Sequence, residues 1–202
     1  MKIYTFPQDS QEWYDIRIGK VTSTSLKRVM SSKWLEYSDE IAAERYSRYR
    51  EYNDFESEDM ARGRELEPYA IAEYAKRKGV EVGTAGFIQS STHAHFGISP
   101  DGIYQNTVVE VKSPQLKNHI KTIRTGKIPA EYHWQIIAAF AVDPTITHVD
   151  FVSYCPELIS RPIEIIPVSI NEPEILEDIN QAHIALTKFE KRVQLTLSQI
   201  QF

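Results

Sequence analysis

Short apolar runs alternate with longer stretches of helical periodicity along this 202-residue chain. Extended segments, in which alternate residues face opposite sides of a sheet, are predicted over residues 80–89, 95–99, 108–112, 148–154 and 163–170. Helices are predicted over residues 26–30, 38–52, 61–78, 132–141 and 172–201. The first three strands, joined through the turn residues Pro100 and Gly102, are expected to form an antiparallel meander. We therefore expect an α/β fold in which helices flank a central mixed β-sheet.

Composition and charge exclude several classes of protein. Hydrophobic residues make up 42% and charged residues 25%, and no linker-like tract divides the chain, so one domain over residues 1–202 is expected. No apolar run approaches the roughly 20 residues of a membrane span, and the start lacks a signal-peptide pattern, which predicts a cytoplasmic location. The single cysteine, Cys155, excludes an internal disulfide and a cysteine-held zinc or iron–sulfur site. With a net charge of −5, any DNA-binding surface has to be local.

The predicted strand VVEVK, residues 108–112, places opposite charges on one face. Glu110 and Lys112 point the same way, and a hairpin could bring Asp101 beside them. Two such carboxylates need a cation between them, and Mg²⁺ prefers oxygen ligands, to which the Val111 carbonyl could add. The ion could activate water for phosphodiester hydrolysis, with Lys112 orienting or deprotonating that water or balancing charge on the phosphate. An isolated E-x-K pair is also typical of an ordinary surface strand.

A cluster of hydroxyls precedes the first predicted helix. Ser23, Thr24 and Ser25 can cap that helix, and a helix N-terminus also attracts phosphate, with Arg17 and Lys20 close in sequence. Plain capping beside two surface cations remains the alternative for this segment.

A cationic stripe follows the E-x-K strand. Lys117, Lys121 and Arg124 have the spacing of one helical face, and no acidic residue interrupts residues 113–127. Such a stripe can follow a phosphate backbone, although it can also simply face solvent.

Two polar residues stand out in the predicted helices. Gln135 lies in the apolar run of residues 132–141, where a buried amide needs hydrogen-bond partners. Glu67 precedes Pro68, and the residue before proline is disfavoured in helical geometry, so Glu67 could lie either inside the predicted helix over residues 61–78 or at a helix start.

The order of these features resembles that of the PD-(D/E)xK nuclease superfamily, and within it the lambda-exonuclease or YqaJ-type viral recombinase family of alkaline exonucleases. WYDIRIGKVTST (residues 13–24) looks like the family's W-x-x-x-R-x-G-x-x-T-x-S element, and GRELEP (63–68) like its G-x-x-x-E helix. SPDG (99–102) and EVK (110–112) look like the catalytic core. The resemblance covers most of the chain and implies a restriction-endonuclease-like core.

The resemblance implies a role for each matching residue of the core. Asp101 and Glu110 correspond to the metal-binding carboxylates and Lys112 to the catalytic lysine. Glu67 corresponds to the additional helix carboxylate, and Gln135 to the motif glutamine of the following helix.

Further residues match the part of the family motif that engages the DNA end. Arg17 matches the arginine that helps to hold the terminal 5′-phosphate. Thr24 stands where the family has a serine, a departure that keeps the hydroxyl but leaves Ser23 and Ser25 as alternatives. Met60 falls where the family places an apolar wedge that parts the strands.

The activity implied is that of a Mg²⁺-dependent exonuclease, with two ions and with Mn²⁺ as a substitute. It would degrade the 5′-ended strand of linear double-stranded DNA and leave a 3′ overhang. Family members form homotrimeric rings around DNA and work with a single-strand annealing protein in phage-type recombination, in a bacterial or phage-infected cell. In such a ring, Lys117, Lys121 and Arg124 would line the site or channel while acidic residues face outward.

Two alternatives remain beside the exonuclease. One is a structure-specific or repair endonuclease of the same superfamily, which would not need the 5′-phosphate anchor of Arg17 and Thr24. The other is a catalytically silent DNA-binding scaffold, against which the intact set of Asp101, Glu110 and Lys112 argues.

Overall fold

The structure, a computed structural model, describes residues 1–50 and 57–200. Its helices are α1 (Gln11–Arg17), α2 (Leu26–Val29), α3 (Trp34–Ser47), α4 (Glu58–Lys78), α5 (Leu116–Thr125), α6 (His133–Ala141) and α7 (Pro173–Ile200). Its strands are β1 (Lys2–Tyr4), β2 (Val21–Thr22), β3 (Phe87–Gln89), β4 (Phe96–Ile98), β5 (Gly102–Tyr104), β6 (Thr107–Lys112), β7 (His148–Tyr154) and β8 (Ile163–Ser169). Short 3-10 turns occupy Ser23–Ser25 and Ala130–Tyr132. Within the described ranges, no helix combines the length and the apolar character that a membrane crossing requires.

One mixed sheet, in the order β5-β6-β7-β8, has β6 at its centre. β6 pairs antiparallel with β5 and parallel with β7, and helices cover both of its faces. Val109 and Val111 pack with Ala70 and Tyr74 of α4, whereas Val108 belongs to the larger core that includes α6 and α7. The predicted α/β architecture, a mixed sheet between helices, is therefore confirmed.

The predicted antiparallel meander is wrong, because its strands divide between two sheets. β3 and β4 pair antiparallel in a separate sheet of order β1-β3-β4-β2, whereas β5 and β6 form the hairpin of the other sheet. β2 pairs parallel with the free edge of β4, so β5 has no edge there to join. Residues 80–86 form no strand and pair with β5 through an isolated bridge between Gly83 and Ile103.

Helix α4 contains the helix predicted over residues 61–78 and continues through Pro68. It begins at the cap Ser57, which accepts a hydrogen bond from Met60 N, so Glu67 lies inside the helix and not at its start. An interior proline removes one helical hydrogen bond, and complete burial of Ala70 and Tyr74 against the sheet offsets that cost.

Other boundaries shift by a few residues. Helix α3 covers Trp34–Ser47 instead of 38–52 and ends at a left-handed residue, Arg48. Residues 51–52 and 201, the ends of two predicted helices, lie outside the described residues.

Gly97 of β4 and Gly63 of α4 offer a matched test of the fold. A Cβ at Gly97 would lie 2.3 Å from the Phe87 ring and 2.6 Å from Ile88 O, whereas a Cβ at Gly63 meets nothing within 4 Å. We expect Gly97→Ala to lower the free energy of unfolding by about 1–3 kcal/mol through overpacking. Gly63→Ala should raise it by about 0.5–1 kcal/mol through helix propensity. Chemical denaturation measures both, and equal effects would contradict this packing.

Candidate active site

The face of β6 that packs under α6 carries the charged pair of the predicted site. Glu110 is only 5% exposed, and its Oε1 accepts hydrogen bonds from Lys112 Nζ and Gln135 Nε2. The buried carboxylate thus has both a counter-ion and an amide partner, as its burial requires. Strand alternation, which turns Val109 and Val111 toward α4, places Glu110 and Lys112 on this shared face as predicted.

Asp101 lies in the turn between β4 and β5 and reaches across to the end of β6. Its Oδ2 accepts a 2.6 Å hydrogen bond from the backbone N–H of Val111, the residue between Glu110 and Lys112. Burial and the Glu110 carboxylate raise the pKa of Asp101 well above its ordinary value, against the opposing charge of Lys112. The predicted hairpin contact between the two carboxylate-bearing segments is present.

Glu67 faces the same cleft from α4. The cleft has a volume of about 370 Å³, and its lining includes Met60, Glu67, Asp101, Val111, Lys112 and Tyr132. Burial raises the pKa of Glu67 above its ordinary value, an effect that Lys112 opposes and Glu110 reinforces. Met60, proposed from the sequence as a wedge, is 57% exposed at this cleft.

The donors of the cleft suit a hard divalent cation. Burial and like charge raise the pKa values of Asp101 and Glu67, so positive charge beyond that of Lys112 would stabilise their ionised forms. In residues 1–50 and 57–200, no three acidic, histidine or cysteine side chains form a ready-made metal cluster. Two carboxylates with water in the remaining positions match the preference of Mg²⁺, which keeps several waters. A contribution from the Val111 carbonyl stays a prediction.

Lys112 is surrounded by negative charge. Burial alone would lower the pKa of its ammonium, but the carboxylates of Glu110 and Asp101 outweigh burial and raise it above the ordinary value. In this arrangement the side chain carries a positive charge and is suited to balancing charge on a phosphate.

Arg17, at the end of α1, reaches the turn that carries Asp101. Its Nη1 donates a 3.1 Å hydrogen bond to Ser99 Oγ, which also accepts a 2.8 Å hydrogen bond from Trp13 Nε1. The guanidinium lies over the Trp13 ring, 3.9 Å from its centroid. Lys20 instead donates to a backbone carbonyl of α1. The candidate phosphate anchor, Arg17, is therefore hydrogen-bonded to Ser99, which lies two residues before the candidate metal ligand Asp101.

The hydroxyl cluster lies at the same sheet edge as Ser99. Strands β2 and β4 run parallel, so Thr24 and Ser99, each two residues beyond the last paired position, leave the sheet side by side. Thr24 is exposed, whereas Ser23 is buried and Ser25 Oγ accepts the backbone N–H of Thr22. Of the three predicted alternatives, Thr24 is the accessible hydroxyl.

The cationic stripe on α5 only partly reaches the site. Lys117, Lys121 and Arg124 are all exposed, as one helical face requires. Lys121 lines a second cavity of about 360 Å³, which shares Lys112 and Tyr132 with the cleft. Lys117 and Arg124 line neither of these two cavities.

Three contributors to this site, two of them inside the motifs quoted above, were given no role by sequence reasoning. Trp13 could have been found because it lies one helical turn before Arg17. Tyr132 lies three residues before Gln135, again one turn. Ser99 begins the SPDG motif, but no local signal shows its bonds, because its partners come from a helix more than 80 residues away.

Arg62 fastens α4 to the segment that follows β6. Its guanidinium binds both carboxylate oxygens of Glu157 at 2.7 Å, and its Nε donates to Ser113 O at 3.2 Å. Cys155 Sγ also donates to Glu157, at 3.0 Å. These contacts, referred to below as the Arg62–Glu157 brace, hold α4, which carries Glu67, against the end of the E-x-K strand β6.

The brace predicts a pH dependence of stability. Hydrogen bonds from Arg62, and then from Cys155, lower the pKa of Glu157 from 4.5 to about 2. A carboxylate with a depressed folded-state pKa stabilises the fold above the unfolded pKa and loses that contribution as pH falls toward 2. We expect Arg62→Met to flatten the fall of the unfolding free energy between about pH 5 and pH 2. Denaturation curves at several pH values measure it.

A matched control for the brace lies on the same helix. Arg77→Met removes an exposed pair with Glu73 one turn away and should leave the pH slope unchanged. An Arg62→Met slope equal to that of the parent protein would contradict the assignment.

Comparison with known proteins adds independent information. Residues 12–148 match the model of the YqaJ-like viral recombinase domain. No curated protein matches the sequence. The structure is similar to that of LHK-Exo, an alkaline exonuclease from Laribacter hongkongensis, with 30% identity, a TM-score of 0.79 and coverage of 94% of this chain and 97% of that chain. LHK-Exo in complex with dAMP gives the same values. A phage related exonuclease from Haemophilus somnus 129PT, 15% identical with a TM-score of 0.55 over 89% and 96% of the two chains, shares the fold.

Proposed function

Because the chain belongs to the YqaJ-like viral recombinase family, we propose that it is a Mg²⁺-dependent 5′-to-3′ exonuclease acting on linear double-stranded DNA. Its 30% identity to an alkaline exonuclease over 94% of the chain makes it a nuclease that acts on DNA. The observation that carries the finer proposal is the link through Ser99 between Arg17 and the turn of Asp101. An anchor for a terminal phosphate and a hydrolytic site are thereby joined in one rigid segment.

The chemistry at the cleft divides among a few side chains. Asp101 and Glu110 would hold a divalent ion, Glu67 and the Val111 carbonyl could add ligands or support a second ion, and Mn²⁺ could replace Mg²⁺. When bound, the ion supplies Lewis-acid polarisation of the scissile phosphate and a more acidic water.

The remaining residues of the cleft act directly through their own charges and hydrogen bonds. Gln135 fixes the orientation of the Glu110 carboxylate by donating to Oε1. Lys112, charged in this setting, offsets the negative charge that builds on the phosphate during hydrolysis.

Selection of a strand end is assigned to Arg17 and Thr24. A guanidinium matches the oxygens of a terminal phosphate in a bidentate manner, and an exposed hydroxyl at the same sheet edge can donate a further hydrogen bond. The stacking of Arg17 on Trp13 limits its rotamers, so less entropy is lost when phosphate binds. A structure-specific or repair endonuclease would not need this phosphate anchor. A catalytically silent scaffold would not need the paired Glu110 and Lys112.

The biological setting follows from the family resemblance. We propose a homotrimeric ring around DNA, with Met60 as the wedge that parts the strands and Lys117, Lys121 and Arg124 facing the nucleic acid. The 3′ overhang would pass to a single-strand annealing protein in phage-type recombination, in the cytoplasm of a bacterial or phage-infected cell. Clustering of exposed cations on α5 supports local DNA contact despite a net charge of −5.

The first test is hydrolysis by a Lys112→Ala variant. Loss of the ammonium should lower the rate by at least about 100-fold while DNA binding persists, because the carboxylates and the end anchor remain. Lys191→Ala, which removes an exposed lysine of α7, serves as the control and should keep the parent rate. A Lys112→Ala protein that degrades duplex at the parent rate would disprove the role of Lys112.

The same assay tests polarity and metal dependence. Linear duplex labelled at either its 5′ or its 3′ end is digested with Mg²⁺ and then with EDTA, beside a covalently closed circle. Early release of the 5′ label, no digestion in EDTA and an intact circle are expected. Cutting of the circle would favour the endonuclease.

The end anchor predicts a preference for phosphorylated ends. Arg17→Ala should reduce the ratio of rates on 5′-phosphate and 5′-hydroxyl ends toward one, because the guanidinium no longer meets the terminal charge. Arg28 is a cation of α2 that pairs with Glu40 of α3, and Arg28→Ala should retain the parent ratio. The measurement is single-turnover digestion of the two duplexes. Equal rates in the parent protein would refute the anchor.

A further inference from the structure

Tyr132 contacts the catalytic lysine directly. It ends the 3-10 turn Ala130–Tyr132, and its ring centroid lies 5.3 Å from Lys112 Nζ. The same ring packs on Phe151 of β7, with centroids 5.7 Å apart and an angle of 34° between the planes. The half-buried ring is therefore fixed between the sheet and the ammonium.

Tyr132 and Gln135 form one clamp on the charged pair of β6. They are three residues apart at the start of α6, so their side chains are neighbours on one helical face. Gln135 Nε2 donates to Glu110 Oε1, the same atom that accepts from Lys112 Nζ. A single turn thus holds the carboxylate through an amide and the ammonium through an aromatic face.

Tyr132 also lines two cavities. One is the cleft with Asp101 and the other is the cavity lined by Lys121 and Lys127, and Lys112 lines both as well. A lysine side chain has a flexible four-carbon stem, so without the ring the ammonium of Lys112 would gain freedom to move into the second cavity. The ring contact thus limits this freedom while the ammonium is bonded to Glu110 Oε1.

We propose that Tyr132 is a positioning residue for DNA hydrolysis, whose ring holds the Lys112 ammonium beside Glu110. This inference rests on the proposed nuclease function, because it assigns a role within the same site. The contact depends on the face of the ring and not on the phenol hydroxyl, since a cation is attracted to the ring quadrupole. Phenylalanine at this position should therefore serve, whereas an aliphatic side chain should not.

The test compares Tyr132→Phe with Tyr132→Leu in steady-state digestion of 5′-phosphorylated duplex. Tyr132→Leu should lower kcat by about 5- to 30-fold with KM for DNA ends unchanged, the range expected for loss of one cation–π contact. Tyr132→Phe should stay close to the parent kcat. Trp134→Leu removes a neighbouring ring that packs on the core, and it should keep the parent kcat. Thermal melting of each variant identifies loss of fold, and Tyr132→Met is the second variant if Leu lowers the melting temperature.

Other results would overturn the proposal. An unchanged kcat in Tyr132→Leu removes the role, and a rise in KM alone indicates that the ring stacks on a DNA base instead. Equal losses in the Phe and Leu variants indicate that the hydroxyl or the fold, and not the ring face, is needed.

A readout independent of activity separates this proposal from the proposed function. The ring current of Tyr132 should shift the NMR resonances of the Lys112 side chain, a shift kept in Tyr132→Phe and lost in Tyr132→Leu. A parent protein that degrades no DNA would refute the proposed function while that shift persists. Lys112 resonances unaffected by Tyr132→Leu would refute the positioning contact whatever the activity.

Discussion

The burial of the Glu110 carboxylate is the constraint on which the rest of the site depends. β6 is covered by helices on both faces, and at 5% exposure an unpaired carboxylate there would cost several kcal/mol. Oε1 of Glu110 accepts from both Lys112 and Gln135, so the strand and α6 meet at a single atom. Any change in the depth or rotation of α6 would break one of these bonds, which ties the helix position to the chemistry.

The segment from Ser99 to Asp101 joins the two sheets into one site. Its first residue accepts from Trp13 and Arg17 at the edge of one sheet, and its last residue accepts from Val111 in the other sheet. Pro100 between them has a fixed φ, which limits how far the two contacts can move apart. In the proposed reaction this rigidity keeps a constant spacing between the terminal phosphate and the bond to be cut.

Local patterns predicted the parts of this arrangement that depend on local geometry. Alternation in β6 was enough to place Glu110 and Lys112 on one face, and the resemblance pointed to Gln135, whose amide does bind Glu110. The meander failed because β2, far away in sequence, pairs with the edge of β4 that β5 would have joined, and no local signal reports such pairing. Pro68 left the position of Glu67 open, because tertiary burial of the turn that follows it, which outweighs the local preference, cannot be read from the local sequence. The roles of Arg17 and Thr24 in phosphate binding stay predictions. The parallel register of β2 and β4 places Thr24 at the same sheet edge as Ser99, and Ser99 accepts a hydrogen bond from Arg17.

The distribution of charge explains how an acidic chain can hold a polyanion. The cleft concentrates the carboxylates of Glu67, Asp101 and Glu110, which by themselves repel phosphate. Cations stand on both flanks of the cleft, with Arg17 at the sheet edge and the lysines of the second cavity beyond Tyr132. Under the proposed function, a strand held on both sides of the cleft would have its intervening phosphate brought to the acidic centre, where a bound divalent ion would reverse the local sign of charge. In that proposal binding and catalysis would be separable, because the flanking cations would supply affinity while Glu110 and Lys112 would act on the bond between them.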